Sequence, residues 1–164
     1  MLLQGRAWTF GDNISTDHII PGRFFHLRSD LDELAKHVFA DIAPDFRQKA
    51  GEGDIIVGRQ NFGLGSSREH AAIVIKRAGI SAVVAKSFGR IFYRNAINVG
   101  LAAIVCDVEG IEEGDSLEIK MDDGLLLDRT KGLERRFNPL PVIMQAILNE
   151  GGLVNYIRKH GGFH

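Results

Sequence analysis

Cysteine is almost absent from this chain: Cys106 is the single one among 164 residues. An internal disulfide is therefore excluded, and no cysteine pair exists that could begin a thiolate metal site. Neither sign of charge is in excess, with Lys+Arg at 20 against Asp+Glu at 21 and a formal net charge of −1. The chain thus lacks the surplus of cations that neutralises a phosphate backbone, and it has no acidic tail. No stretch approaches the roughly 20 uninterrupted apolar residues of a membrane span, and "MLLQGRAWTFGDNISTD" carries no long apolar core behind basic residues. The expectation is a soluble, cytoplasmic protein with no nucleic-acid or membrane partner. Internal repeats, low-complexity tracts and linker compositions are also missing, while 45% hydrophobic and 25% charged content suits a single core. One domain spanning 1–164 follows.

What is present is an alternation of extended and helical patterns. "QGRAWTF" alternates as a short strand, and "FGDNISTD" behind it carries turn and capping residues. "SDLDELAKHVF" offers Ser29 and Asp30 as caps and sets Leu31, Leu34, Ala35 and Val38 on one helical face. "GDIIVG", "ISAVVAKSF" and "LAAIVCDV" are apolar, β-branched runs separated by the helix-like "SSREHAAIVIKRAG" and "GRIFYRNAINVG". Strands joined through helices pair in parallel and are buried on both faces, which gives βαβαβ. The last third differs: "EEGDSLEIKMDDGLLLDRT" alternates around a "DDG" hairpin signal. "PLPVIMQAILNEGG" is a helix opened by proline and closed by glycines, and "LVNYIRKHGG" is a final short amphipathic helix. The pattern predicts a three-layer α/β domain with a mixed sheet.

"NFGLGSSREH", Asn61 to His70, packs a glycine bend, two serines, an arginine and a histidine between a strand and a helix. A helix whose first turn holds Ser66, Ser67 and Arg68 presents free N–H groups and a positive dipole end to an anion. Phosphate fits poorly, because the stretch lacks the lysine of a P-loop and Arg68 stands where a dinucleotide fingerprint needs glycine. Glycine is also missing two places after the serine, as a hydrolase elbow requires. A carboxylate held by the guanidinium fork suits the residues better. The same letters equally spell a Ser66–Glu69 capping box. "GDNISTDHIIPGRFFHLRSD" gathers Asp12, Asp17, His18, Arg23 and Arg28 in one proline-containing loop. In "SFGRIFYRNAINVG", Arg90 and Arg94 share a helix face available for pairing with carboxylates, while Phe88, Ile91, Phe92 and Ile97 read as core.

In this order and at these separations, "STDHIIPGRF", "NFGLGSSREHAA" and "SFGRIFYRNAINVGL" resemble the small subunits of the isopropylmalate dehydratase and homoaconitase branch of the aconitase family. The resemblance covers nearly the whole chain and implies the swivelling β/β/α domain of that family, consistent with the mixed-sheet layers. It further implies a hydro-lyase that interconverts 2- and 3-isopropylmalate by dehydration and rehydration in leucine biosynthesis, active only with a large subunit. A [4Fe-4S] cluster is expected in that large subunit, and none bound by this chain. By the family pattern Ser66 is the catalytic base, Ser67 and Arg68 hold a substrate carboxylate, and Asp17 and His18 wall the site. The resemblance also implies that the loop "RFFHLRSD", which carries Arg28 as a substrate-binding candidate, contacts the substituent that distinguishes one substituted malate from another. An apolar loop suits isopropylmalate, whereas Arg28 suits the extra carboxylate of homoaconitate. A non-catalytic carboxylate-binding module is the alternative from a different class.

Overall fold

The computed structural model describes residues 1–66 and 68–162. Strand β1, Leu2–Thr9, alternates exposed and inward residues over its first six positions and becomes the middle strand of the sheet. On one side it pairs in parallel with β2, Ile55–Val57, placing Ala7 opposite Ile55. Strands β3, Ala82–Ala85, and β4, Ala102–Val105, continue that parallel arm. On its other side β1 runs antiparallel to β5, Ser116–Lys120, which leads to β6, Leu125–Asp128, and β7, Leu133–Arg136. The order β4-β3-β2-β1-β5-β6-β7 makes one mixed sheet of seven strands.

The sheet curls until its two edges meet. Beyond β4, Cys106 Sγ lies 4.0 Å from the Arg136 carbonyl at the end of β7, and the Arg135 guanidinium donates to the Glu109 carbonyl at 2.9 Å. One face of the parallel arm is thereby covered by the antiparallel arm, whose Leu117, Ile119 and Leu126 are buried. The other face is covered by helices, so β2 and β3 are buried at every position. Helix α4, Glu69–Arg77, buries Ala71, Ala72, Val74 and Ile75, and α5, Arg90–Val99, buries Phe92, Ala96 and Ile97. The C-terminal helices α6, Val142–Asn149, and α7, Leu153–His160, pack beside α5. This is the expected three-layer α/β architecture, and among the described residues no helix is long and apolar enough to cross a membrane.

Some elements are shorter or additional. The helix expected over "SDLDELAKHVF" is α2, Leu31–Ala35, capped by the Asp30 side chain, which accepts from the Glu33 N–H at 3.2 Å. Val38 stays buried beyond its end. Two four-residue helices, Thr16–Ile19 (α1) and Phe46–Lys49 (α3), and a 3-10 turn, Gly22–Leu27, are too short to register as periodicity. Strand β7 is likewise an element that hydrophobic pattern does not disclose. "LERR" holds one apolar residue, because an edge strand with two solvated positions needs no more.

Candidate functional site

The loops that follow β1, β2 and β3 meet at the carboxyl ends of the parallel strands, the edge where open α/β sheets bind ligands. Backbone bonds lace them together. Gly63 N–H donates to the Ile14 carbonyl at 2.6 Å, Thr16 N–H to Leu64 at 2.9 Å, and Phe62 N–H to Ser87 at 3.0 Å. Asn13 and Asn61, both at positive φ (59° and 57°), join side chains at 2.9 Å, and Asp12 accepts from the Gln60 N–H at 2.9 Å. Gly63 at φ 82° passes so close to α5 that a Cβ there would stand 2.2 Å from Phe92 Cγ. Glycine is required for conformation and for space at once.

This lacing delays helix α4. The capping box expected between Ser66 and Glu69 is not formed: Glu69 is the first helical residue, and Arg68 occupies the cap position with no side-chain cap. Ser66 therefore precedes the helix rather than sitting in its first turn. The physical reason is that residues 62–64 spend their backbone groups on the neighbouring loops, and the chain turns again where Arg68 N–H donates to the Ser66 carbonyl at 2.9 Å. Ser66 is exposed, and its hydroxyl makes no hydrogen bond among the described residues. The start of α4, Glu69 and His70, has no side-chain cap. Ser67 lies outside the described residues.

Four of the sequence-derived residues are brought together. Arg68 Nη1 stands 2.5 Å from Asp17 Oδ1 and donates to the Ile20 carbonyl at 3.2 Å. The Arg68 guanidinium lies 5.0 Å from the centroid of Phe25, and that of Arg28 lies 5.4 Å from the same ring. Arg28 also donates to the Phe25 carbonyl at 3.2 Å, which holds it on its own turn. His70 meets Phe25 edge-on at 5.4 Å. With Nη1 of Arg68 engaged, Nε and Nη2 make no hydrogen bond among the described residues, and that edge of the fork is the one a carboxylate would grip. Phe25 is the organiser that the motifs alone did not single out; its only signal was an aromatic within a loop rich in arginine.

His18 serves α1 first. Ser15 N–H donates to His18 Nδ1 at 2.9 Å while Ser15 Oγ accepts from His18 N–H at 3.2 Å, a reciprocal cap. The Nδ1 edge of His18 is thus turned toward Ser15. Arg23 is taken out of the site by a two-pronged pair to Asp41 at 2.8 and 2.5 Å, and those bonds hold the Asp41 carboxyl below its usual range. On α5, Ile91 is 43% exposed rather than core, and Arg90 and Arg94 are exposed without the carboxylate partners expected of them among the described residues. Both departures share one cause: this side of α5 faces away from the sheet.

Metal-binding capacity is sparse. Among the described residues no three His, Cys, Asp or Glu side chains are grouped to hold a metal ion. Cys106 is buried beside a cavity of about 710 Å³ between the ends of β4 and β7, away from Ser66 and Arg68. Burial, with Asp107 next to it, pushes its thiol up to about 11, so it supplies little thiolate.

The loops at the carboxyl ends of the parallel strands bring together an exposed serine, an uncapped helix start and a half-engaged arginine, and the chain belongs to the aconitase C-terminal domain family, whose model matches residues 10–109. That span includes every candidate residue named above. Along its full length the chain is similar to 3-isopropylmalate dehydratase small subunit 2 of Archaeoglobus fulgidus, 60% identical over 161 residues covering 98% of each chain. It is 60% identical over 163 residues to 3-isopropylmalate dehydratase small subunit 1 of Thermotoga maritima, covering 99% of this chain and 98% of that one. The crystal structure of 3-isopropylmalate dehydratase from Methanocaldococcus jannaschii superposes with a TM-score of 0.93 at 47% identity, covering 98% of this chain and 96% of that chain.

Proposed function

We infer that this chain is the small subunit of a 3-isopropylmalate dehydratase, a hydro-lyase that works with a large subunit to shift a hydroxyl between neighbouring carbons of a substituted malate. The observation that carries the reading is full-length similarity at 60% identity to two small subunits of that name, together with the meeting of Asp17, Arg68, Phe25 and Arg28 beside Ser66. The [4Fe-4S] cluster of the reaction class belongs on the large subunit in this reading, since the lone buried Cys106 does not suit a cluster.

The tasks proposed for this chain are binding, orientation and proton transfer. The free Nε/Nη2 edge of Arg68 grips one substrate carboxylate, a task that the family pattern shares with Ser67. Asp17, on Nη1, fixes the plane of the fork. Ser66 Oγ takes the proton from the carbon next to the departing hydroxyl and returns it on the neighbouring carbon. A serine hydroxyl is a weak base in water, so its deprotonated form needs the positive start of α4 and the Arg68 guanidinium nearby, with water excluded. His18 and Asp17 form the wall.

Phe25 gives an isopropyl substituent an apolar surface. Arg28 over the same ring favours a second reading, a homoaconitate-type acid whose extra carboxylate would pair with that cation. The test is reconstitution with the large subunit under anaerobic conditions, following the conjugated double bond of the dehydrated intermediate by ultraviolet absorbance. Ser66→Ala should lower kcat by at least a hundredfold with little change in KM. Full activity of Ser66→Ala would remove the serine from the chemistry.

A further inference from the structure

Ser66, Asp17 and the open edge of Arg68 all lie on the solvent side, yet the proton transfer proposed for them requires a site closed to water. This chain places nothing over them among its described residues, so the missing wall must be docked, and helix α5 offers a ledge for docking. Helix α5 begins beside the glycine bend: Gly89 N–H donates to the Phe62 carbonyl at 2.8 Å, and a Cβ on Gly89 would lie 2.7 Å from the Gly63 carbonyl oxygen. Its first turns present Arg90, Ile91 and Arg94 outward.

That placement violates two local rules. Arg90 sits at the positive end of a helix dipole, and Arg90 and Arg94, one turn apart, repel each other. Most exposed cations of the chain are compensated: Arg23, Lys36, Arg59, Arg77, Arg129 and Lys159 each meet a carboxylate. Arg90 and Arg94 meet none among the described residues. Asp107 and Glu109, which follow β4, are already held by Arg135 and by Arg59 with Lys86.

Between and beside these charges the surface is aliphatic. Ile91 is 43% exposed, and the first two residues of α6, Val142 and Ile143, are 84% and 38% exposed. Helix α6 runs alongside α5 in the same direction: Asn138, shortly before it, lines a cavity with Lys86 and Val105 at the ends of β3 and β4, and Gly151 and Gly152 at its other end abut Asn98, Val99 and Gly100. Its start therefore lies toward the Arg90 end, at the carboxyl edge of the sheet. Exposed aliphatics rimmed by unpaired arginines have the composition of an interface centre. A second copy of this chain fits poorly, since a two-fold contact would bring the arginines toward one another.

We propose that Arg90, Ile91, Arg94, Val142 and Ile143 form the ledge on which the large subunit docks through an acidic-edged apolar patch, closing the Ser66 site. The proposal rests on the reading of this chain as a dehydratase small subunit. To test it, purified large subunit is titrated onto immobilised wild-type chain and onto Arg90→Glu/Arg94→Glu and Ile91→Asp, anaerobically, at low and high salt. The charge reversal should weaken association at least thirtyfold at low salt and flatten its salt dependence, and Ile91→Asp should weaken it at both salt levels. Arg90→Gln/Arg94→Gln should fall between wild type and reversal. All variants should keep the wild-type melting temperature, and saturating large subunit should restore wild-type turnover. Unchanged affinity in the variants overturns the ledge while leaving the function intact. Failure of the wild-type chain itself to bind overturns the function on which the ledge rests. Self-association of the isolated chain that the reversal abolishes, seen by sedimentation, overturns the choice of occupant.

Discussion

Replacing Arg68 by lysine separates a structural arginine from one that handles substrate. The Arg68 side chain is 24% exposed and that of Asp17 is 68% exposed, so solvent screening limits their pair to about 1 kcal/mol at most. Lysine keeps the charge, and part of that term survives. The 3.2 Å bond to the Ile20 carbonyl and the packing on Phe25 at 5.0 Å contribute about 1 kcal/mol and about 0.5–1 kcal/mol in turn. Lysine can recover some of each, so the expected loss of stability is about 1 kcal/mol, a fall in melting temperature of roughly 2–4 °C. Function should suffer more. A bidentate grip on a substrate carboxylate uses two charge-assisted hydrogen bonds, and a point ammonium replaces the fork with a single contact. Losing one such bond is worth about 1.5–3 kcal/mol, or roughly 10- to 150-fold in kcat/KM. The assay is reconstituted dehydratase turnover beside a melting curve of the isolated chain. A change in kcat/KM below threefold would refute the substrate role, as would a melting point that falls so far that unfolding explains the lost activity.

Arg28→Val should shift the ratio of specificity constants toward isopropylmalate and away from homoaconitate, because leaving an anion unpaired costs roughly 2–5 kcal/mol whereas an isopropyl group gains apolar surface; an unchanged ratio measured on both acids would show that Arg28 faces only solvent. Gly63→Ala forces a β-carbon into Phe92 at φ 82° and should destabilise the chain by about 2–4 kcal/mol by chemical denaturation, whereas Gly11→Ala, with open space around it, should change little. Asp54 loses solvation on burial, but the bonds it accepts from Trp8 Nε1 at 2.9 Å, Gly51 N–H at 2.8 Å and Arg6 N–H at 3.1 Å more than offset that, and its carboxyl titrates below the ordinary value. A depressed carboxyl stabilises the fold above its unfolded pKa, about 4, and that stabilisation is lost as pH falls through its lower folded value. The advantage of wild type over Asp54→Asn should thus be full at pH 7 and shrink below about pH 4, read from the fluorescence of Trp8, the single tryptophan. A pH-independent difference between the two would contradict it.

Legibility tracked how local each cause was. Strands β2, β3 and β4 announced themselves because burial on both faces demands continuous apolar residues, and α4 and α5 because one buried face imposes a 3.6-residue period. The family was legible from "GSSRE" and "FGRIFYRNAINVG", and the match over residues 10–109 agrees with it. Ser66 and Glu69 misled about the helix start, since their spacing spells a cap that long-range backbone bonds override. Ile91 misled as well: its helix position looks apolar, but which side of α5 meets the sheet is a tertiary fact.

By itself the sequence determined the class of architecture, the glycine bend and the kind of chemistry a serine and arginine can offer behind a strand, because these depend on neighbours in the chain. Only the tertiary structure decided that Asp17 engages one edge of Arg68 and leaves the other open, and that Arg28 and Arg68 share the Phe25 ring. It alone left Arg90 and Arg94 without a carboxylate partner among the described residues. Those outcomes depend on where the β1 and β2 loops are laced together at the sheet edge, and hydrogen bonds between residues about fifty positions apart leave no period or spacing in a linear sequence.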